Sequence, residues 1–443
     1  MRRLHLFVAF AFTVMADPVS SVAYAIEAAL RGLHGDLGSL LPAMAAVIAI
    51  IAVISATYDQ LIRRFPGGGG GPQGVVAAFS EGWAFIPLGA LLVDFTLTVA
   101  VSCAAGASAL IAYLPDLEPL RVPLGLALVG LVAGLVLLGH LGRVTFALAT
   151  QLFVLLAGWV IVAALFADSV TAGRSGSWPG SLVSDAAIGP LILAVPLGMA
   201  LATGVEAPSN AIAQLPQLDE RARRQFGRWT LWLMIGIVGV LTAGFAAAAV
   251  RLGAGLPSPD STLLAEVARR SVGDGVAFAG FQAVSALLLL SAAASSYLAG
   301  SGVLKALATL GREGEGLVPR IFGRINRFLV PEWGVAVVLV AAASLVAAGG
   351  REQRLVPFYA VAVFASFLAA TIGCARLSYR ERRWLSLALN LVGSLLVGLV
   401  LAMNAMRLEG AIALLASAGV AVYLWRMWIS RGRPTGVAGA GGQ

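Results

Sequence analysis

Apolar stretches of bilayer length, about twenty residues each, recur along the whole chain, and no other feature restricts its fold so tightly. They fall near 5–31, 37–59, 83–113, 121–139, 144–166, 188–211, 229–251, 275–305, 333–349, 354–377, 384–405 and 409–429. Only 12% of the 443 residues are charged, against about 25% in a soluble globular chain. The expected fold is an all-α integral membrane protein of about twelve transmembrane helices, with no soluble domain of useful size. The start, Met-Arg-Arg and then apolar, resembles a signal peptide. The run continues past Asp17 to about residue 30 without a cleavage-like end, so it reads as the first span.

Charge sets the orientation. With the N-terminus inside, roughly 21 of the 30 Lys and Arg residues fall on inside segments and 9 outside, a positive-inside bias. Both termini are then expected in the cytoplasm, in a multi-pass protein of the plasma membrane. The same excess of cations reports topology here, and no basic run interleaved with aromatics suggests nucleic acid. Cys103 and Cys374 fall in spans and imply no disulfide framework. His5, His34 and His140 lack metal-ligand spacing. The run Phe65-Pro-Gly-Gly-Gly-Gly-Gly-Pro-Gln73 lacks the Gly-Lys-Ser/Thr ending of a phosphate loop and reads as a flexible re-entry. The inside loop 214–228 is expected to be solvated, and the Gly-rich tail, 434–443, disordered.

Three apolar spans carry polar groups. The first is interrupted at Asp17-Pro-Val-Ser-Ser-Val-Ala-Tyr24, where Pro18 has no N–H and its ring crowds the carbonyl one turn back. A plain reading makes Asp17 the cap of a kinked helix, but it leaves Tyr24 unexplained. The third span places Asp94, Thr98 and Ser102 four residues apart, one polar stripe on one helix face. The sixth is broken around Gly204, Glu206 and Pro208, with Thr203 and Ser209 beside them.

The breaks near 17 and near 204 lie about 187 residues apart. The same shift takes Asp94 to Phe281, with Ser285 a turn further, so the second half repeats the break but not the acid. Matching interruptions in two halves point to an inverted repeat with its site at the midplane. The expected divisions of a transporter domain, 1–433, are a first repeat 1–166, a second repeat 188–377, and two added helices in 384–429.

A carboxylate at mid-bilayer costs about 2.5–3.5 kcal/mol on insertion scales. Asp17, Asp94 and Glu206 have no Arg or Lys inside a span to pair with. A cation, a proton, or both would offset that cost. Freed carbonyls with Asp, Thr, Ser and Tyr oxygens suit a hard cation, and Asp17 would repel an anion. The absence of a Cys/His cluster argues against a transition metal.

These stretches, with Leu92-Val-Asp-Phe-Thr-Leu-Thr-Val-Ala-Val-Ser102, Thr203-Gly-Val-Glu-Ala-Pro-Ser-Asn210, Leu355-Val-Pro-Phe-Tyr359 and the loop Gly316-Leu-Val-Pro-Arg-Ile-Phe322, resemble the KimA-type potassium permeases. That group belongs to the amino acid–polyamine–organocation (APC) superfamily. The resemblance implies a LeuT-like fold of five plus five inverted helices with the first and sixth broken, and proton-coupled potassium uptake without a cofactor. It implies a cation site from Asp17, Tyr24, Asp94, Thr98, Ser102, Thr203, Glu206 and Tyr359. Potassium would lie at Asp17, Asp94, Thr98, Ser102 and Thr203, with Glu206 and Asp94 in proton coupling. Tyr359 enters only through this resemblance. Pro18 stands where the group usually has a small residue. No stretch matches the group's C-terminal cytosolic domain, which binds cyclic di-AMP and holds a dimer; a homodimer stays an open alternative.

The rival reading is a proton-coupled amino acid or amine permease of the same superfamily. A glycine-rich first break would favour it, and this chain has Asp-Pro. A channel would be expected to repeat filter loops. No nucleophile–His pair or metal spacing supports an enzyme. The partners expected are membrane lipid, the potassium ion and the proton.

Overall fold

The computed structural model describes residues 2–139, 143–166, 188–215, 217–310 and 316–442. His140, Arg174 and Arg312 lie outside them. Among the described residues the chain is helical throughout, and twelve helices are long and apolar enough to cross a membrane. They run Arg3–Gly32, Leu40–Arg64, Glu81–Tyr113, Pro115–Leu137, Ala147–Phe166, Gly189–Ala211, Glu220–Leu252, Val276–Thr309, Glu332–Gly349, Glu352–Arg380, Trp384–Ala405 and Leu408–Ser430. Each matches an apolar stretch, because in lipid a span must satisfy its backbone internally and helices do so. The first helix, Arg2–Val14, and the turn Val437–Gly442 both pack on Ala207–Ala211 and so lie at one end of the bundle.

Enclosure separates centre from rim. The apolar windows of the third, tenth and sixth spans are 72%, 67% and 61% buried, while those of the eleventh and twelfth are 22% buried. Leu385, Leu395 and Leu415 on the last two spans are exposed, as lipid-facing residues can be at no cost. The third span packs along the eighth and the tenth. Phe281, onto which the 187-residue shift takes Asp94, is buried between Phe153 and Phe245, and Ser285 donates to its carbonyl.

Two expectations about the connections change, those for 65–73 and 434–443, while 214–228 stays largely exposed or half-buried but is structured. The run after Phe65 is not a flexible re-entry: three successive glycines, Gly68, Gly69 and Gly70, have positive φ and turn the chain into a helix, Gly70–Ala78. Only glycine takes that run without strain. Most of 214–228 is helix, because the seventh span starts at Glu220 with Asp219 accepting from the N–H of Ala222. The tail is ordered, not disordered: Val437–Gly442 forms a 3-10 turn with Val437, Ala438 and Ala440 buried. Small residues make that possible, since glycine and alanine let the backbone lie directly on a helix surface.

Candidate functional site

The two breaks meet. In the first span the helix Arg2–Val14 ends, Met15 makes a turn, and a second helix runs Ala16–Gly32. The interruption precedes Pro18 because the ring crowds the carbonyl four residues back, that of Val14. Pro18 thus falls in the first turn of the new helix, where its missing N–H costs nothing. Asp17 is not a cap, since the helix starts at Met15 with no side-chain acceptor. Its negative charge instead sits at a half-helix N-terminus, which the helix dipole favours.

The sixth span is broken more deeply. The helix Ile188–Gly198 gives way to a 3-10 turn, Met199–Ala202; Thr203 is extended and Gly204 has φ 77°; the chain is helical again at Ala207–Ala211, with Pro208 in the first turn. A Cβ on Gly204 would stand 2.6 Å from Pro18 Cδ and 3.1 Å from Asp17 Oδ2. Ser21 and Thr203 share a hydrogen bond of 3.1 Å, which ties the first break to the sixth.

Of the eight residues expected in the site, four converge through contacts and two more through electrostatic proximity. Tyr359 Oη donates to Asp17 Oδ1 at 3.5 Å, a long bond. The Tyr24 and Tyr359 rings meet edge to face with centroids 6.3 Å apart, both buried. Thr203 joins them through Ser21. Asp94 and Glu206 lie within electrostatic reach of each other and of Asp17. Asp94 and Glu206 are buried, and Asp17 is half-buried. Thr98 donates to the carbonyl of Asp94, and Ser102 lies one turn further along the same stripe. Among the described residues no hydrogen bond joins Thr98 or Ser102 to the breaks.

The polar atoms left over define what the site can do. Asp94 Oδ1, Ser102 Oγ, Glu206 Oε2 and Tyr24 Oη are buried without a hydrogen-bond partner. Buried polar atoms are normally satisfied, so unsatisfied ones need a reason such as an ion or a proton. Among the described residues Asp17, Asp94 and Glu206 join no ion pair. Nor, among the described residues, do three His, Cys, Asp or Glu side chains gather closely enough to cage a metal. An ion here would be held by carboxylate, hydroxyl and carbonyl oxygens spread over several helices.

Sequence reasoning missed Ser21, which the pair Ser20-Ser21 inside the break could have signalled. It also missed Tyr58 and Asn210, whose Oη and Oδ1 are buried and unpartnered. Tyr58 lies in an ordinary apolar span and gave no such signal.

Comparison with known proteins fits this geometry. The family model described as amino acid permease matches residues 4–425. The chain is 28% identical over 399 residues to the potassium transporter KimA of Bacillus subtilis (strain 168), covering 87% of this chain and 64% of that one.

Proposed function

The chain belongs to the amino acid permease family of the APC superfamily, and from that premise we propose that this transporter is a proton-coupled importer of potassium. One observation carries the reading: three carboxylates at two broken spans and a polar stripe, which among the described residues make no ion pair. A site built for an amino acid must also meet a substrate carboxylate, usually at bare half-helix N–H groups. Here Asp17 and the N–H-less Pro18 occupy that place. The cargo of the relative from Bacillus subtilis is in keeping with this.

In this reading potassium sits between Asp17 and Asp94. Oxygens of Thr98, Ser102, Thr203 and the freed backbone replace its water. Three like charges in a dry site cannot all stay ionised, so Glu206 carries the proton, with Asp94 as the second candidate. Glu206 stands at the deeper break, where movement of the half-helices changes its hydration most. Tyr24 and Tyr359, one from each repeat, close over the ion. Release inward follows when Glu206 loses its proton to the cytoplasm, where both termini lie.

The test is uptake of potassium or rubidium into proteoliposomes, with and without an inward proton gradient. Gradient-dependent accumulation is expected, as is growth at low potassium of cells lacking their own uptake. A second reading, an amino acid or amine permease, has the description of the matched family in its favour. Uptake of a neutral amino acid without potassium or rubidium would establish it and remove the first.

A further inference from the structure

The tail reaches the site through one intermediate helix. After the twelfth span ends at Ser430, Gly432 and Arg433 reverse the chain, and Trp428 Nε1 donates to the carbonyl of Pro434 at 2.9 Å. The Glu81 carboxylate then accepts from two successive backbone N–H groups, Gly436 and Val437, at 3.0 Å each. Val437 and Ala440 bury themselves with Phe85, Leu88, Val303 and Leu307. The turn they form lies on the helix Gly70–Ala78, on the eighth span and on Ala207–Ala211. The contact is backbone-close: a Cβ on Gly441 would stand 2.9 Å from Pro72, and one on Gly69 3.3 Å from the carbonyl of Ala438.

The helix beneath is wedged just as closely. A Cβ on Gly70 would collide with Ser209 and Asn210, three and four residues past Glu206. One on Gly71 would stand 3.4 Å from Tyr58 Oη and 3.3 Å from Ala370 Cβ. Gly70–Ala78 therefore bridges the second, sixth and tenth spans at the end of the bundle that carries both termini. Its entry is the glycine hinge 68–70, and its outer face is the tail.

We propose that residues 434–442 are an intramolecular strap that latches the helix Gly70–Ala78 over the inner mouth of the site, and that release of the strap opens the path beside Glu206. Two backbone N–H groups on one carboxylate make a clamp that can let go without unfolding a span. A packed segment would hold its surroundings together; a strap holds shut a path that is otherwise free to open. The two differ in what happens when the clamp is removed.

The test is accessibility, which needs neither the cargo nor its identity. In a Cys103→Ala, Cys374→Ala background, Ser209→Cys reports on the inner mouth, and Ser291→Cys, buried in the eighth span, reports on general loosening. Both are labelled with a small methanethiosulfonate reagent in the full-length purified protein. Glu81→Ala and, separately, Val437→Asp are expected to speed labelling at position 209 at least about tenfold, the order for losing one charge-assisted hydrogen bond; losing both, or burying a charge, gives more. Position 291 should change little. Unchanged labelling at 209 in both variants, or equal acceleration at 209 and 291, overturns the strap and leaves an ordinary packed segment.

Discussion

Two sets of buried carboxylates divide this molecule. Glu27 and Asp59 are as deeply buried as the central acids, yet each has its cation: Arg31 lies 2.8 Å from Glu27, and Arg63 and Arg228 lie 2.6 Å from Asp59. Glu27 also accepts from the N–H of Leu263, the first residue of the helix between the seventh and eighth spans. Among the described residues Asp17, Asp94 and Glu206 have no such partner. For Asp17 and Asp94 the difference is one of position; Glu206, five residues from the end of its span like Glu27 and Asp59, differs in having no arginine one turn away. The paired acids stand within a turn or two of span ends, where an arginine one turn away can reach them and still extend its head to water. No arginine can do so at mid-bilayer without a desolvation cost larger than the attraction it gains. The paired acids hold helices together; in the proposed reading the unpaired ones hold a charge open for the transported cation and proton.

The sharpest way to break this division is to remove one acid from each set. Asp94→Asn should abolish cation uptake, by more than about a hundredfold, as expected when a charged contact of about 3 kcal/mol is lost. Its melting temperature should stay the same or rise, since an uncompensated buried charge is gone. A fall of many degrees would place Asp94 with the structural acids. Glu206→Gln should keep binding, read as protection of the protein by potassium against heat, while proton-driven accumulation falls to the level without a gradient. Accumulation at the wild-type rate would move the proton to Asp94.

Asp59→Asn should do the reverse. It leaves two guanidiniums half-satisfied and should cost about 1–2 kcal/mol of stability, after allowing for the solvent at both arginines. Uptake per folded molecule should be unchanged. The smallest effect belongs to an acid at the surface, outside the spans. Hydrogen bonds from Arg64 hold the Glu381 carboxyl below its usual value of 4.5. The folded state thus gains stability from this pair above the usual value and loses it as pH falls below. The difference in melting temperature between the wild type and Arg64→Gln should therefore be constant near neutrality and shrink below about pH 4.5. A difference that grows on acidification would contradict the pairing.

Most of the architecture could be read from apolar run length, because a bilayer makes length and hydropathy sufficient to locate a span. The two breaks could be read because proline, glycine and an acid in one apolar run admit few explanations. What escaped was set by contacts remote in sequence. Glycines at 68–71 look like a linker until Ser209, Asn210, Tyr58 and Ala370 are placed against them. The tail looks like low complexity until the carboxylate of Glu81, some 355 residues away, is placed at its N–H groups. Tyr58 had no local signal at all. Composition-based reading treats glycine as freedom, whereas in this bundle it is close approach.

The contact between Gly204 and Pro18 has a consequence in genetics. Position 204 is constrained twice, once by its positive φ and once by the ring 2.6 Å from where a side chain would begin. The first constraint belongs to the residue alone, and the second is shared with its neighbour across the break. Loss-of-function alleles at 204 should thus fall into two groups. Asparagine, which tolerates a left-handed backbone, should be rescued by a second change that removes the ring at 18. β-Branched residues should find no suppressor anywhere. A selection for revertants would read the meeting of the two broken helices as a pair of linked positions, without a structure in hand.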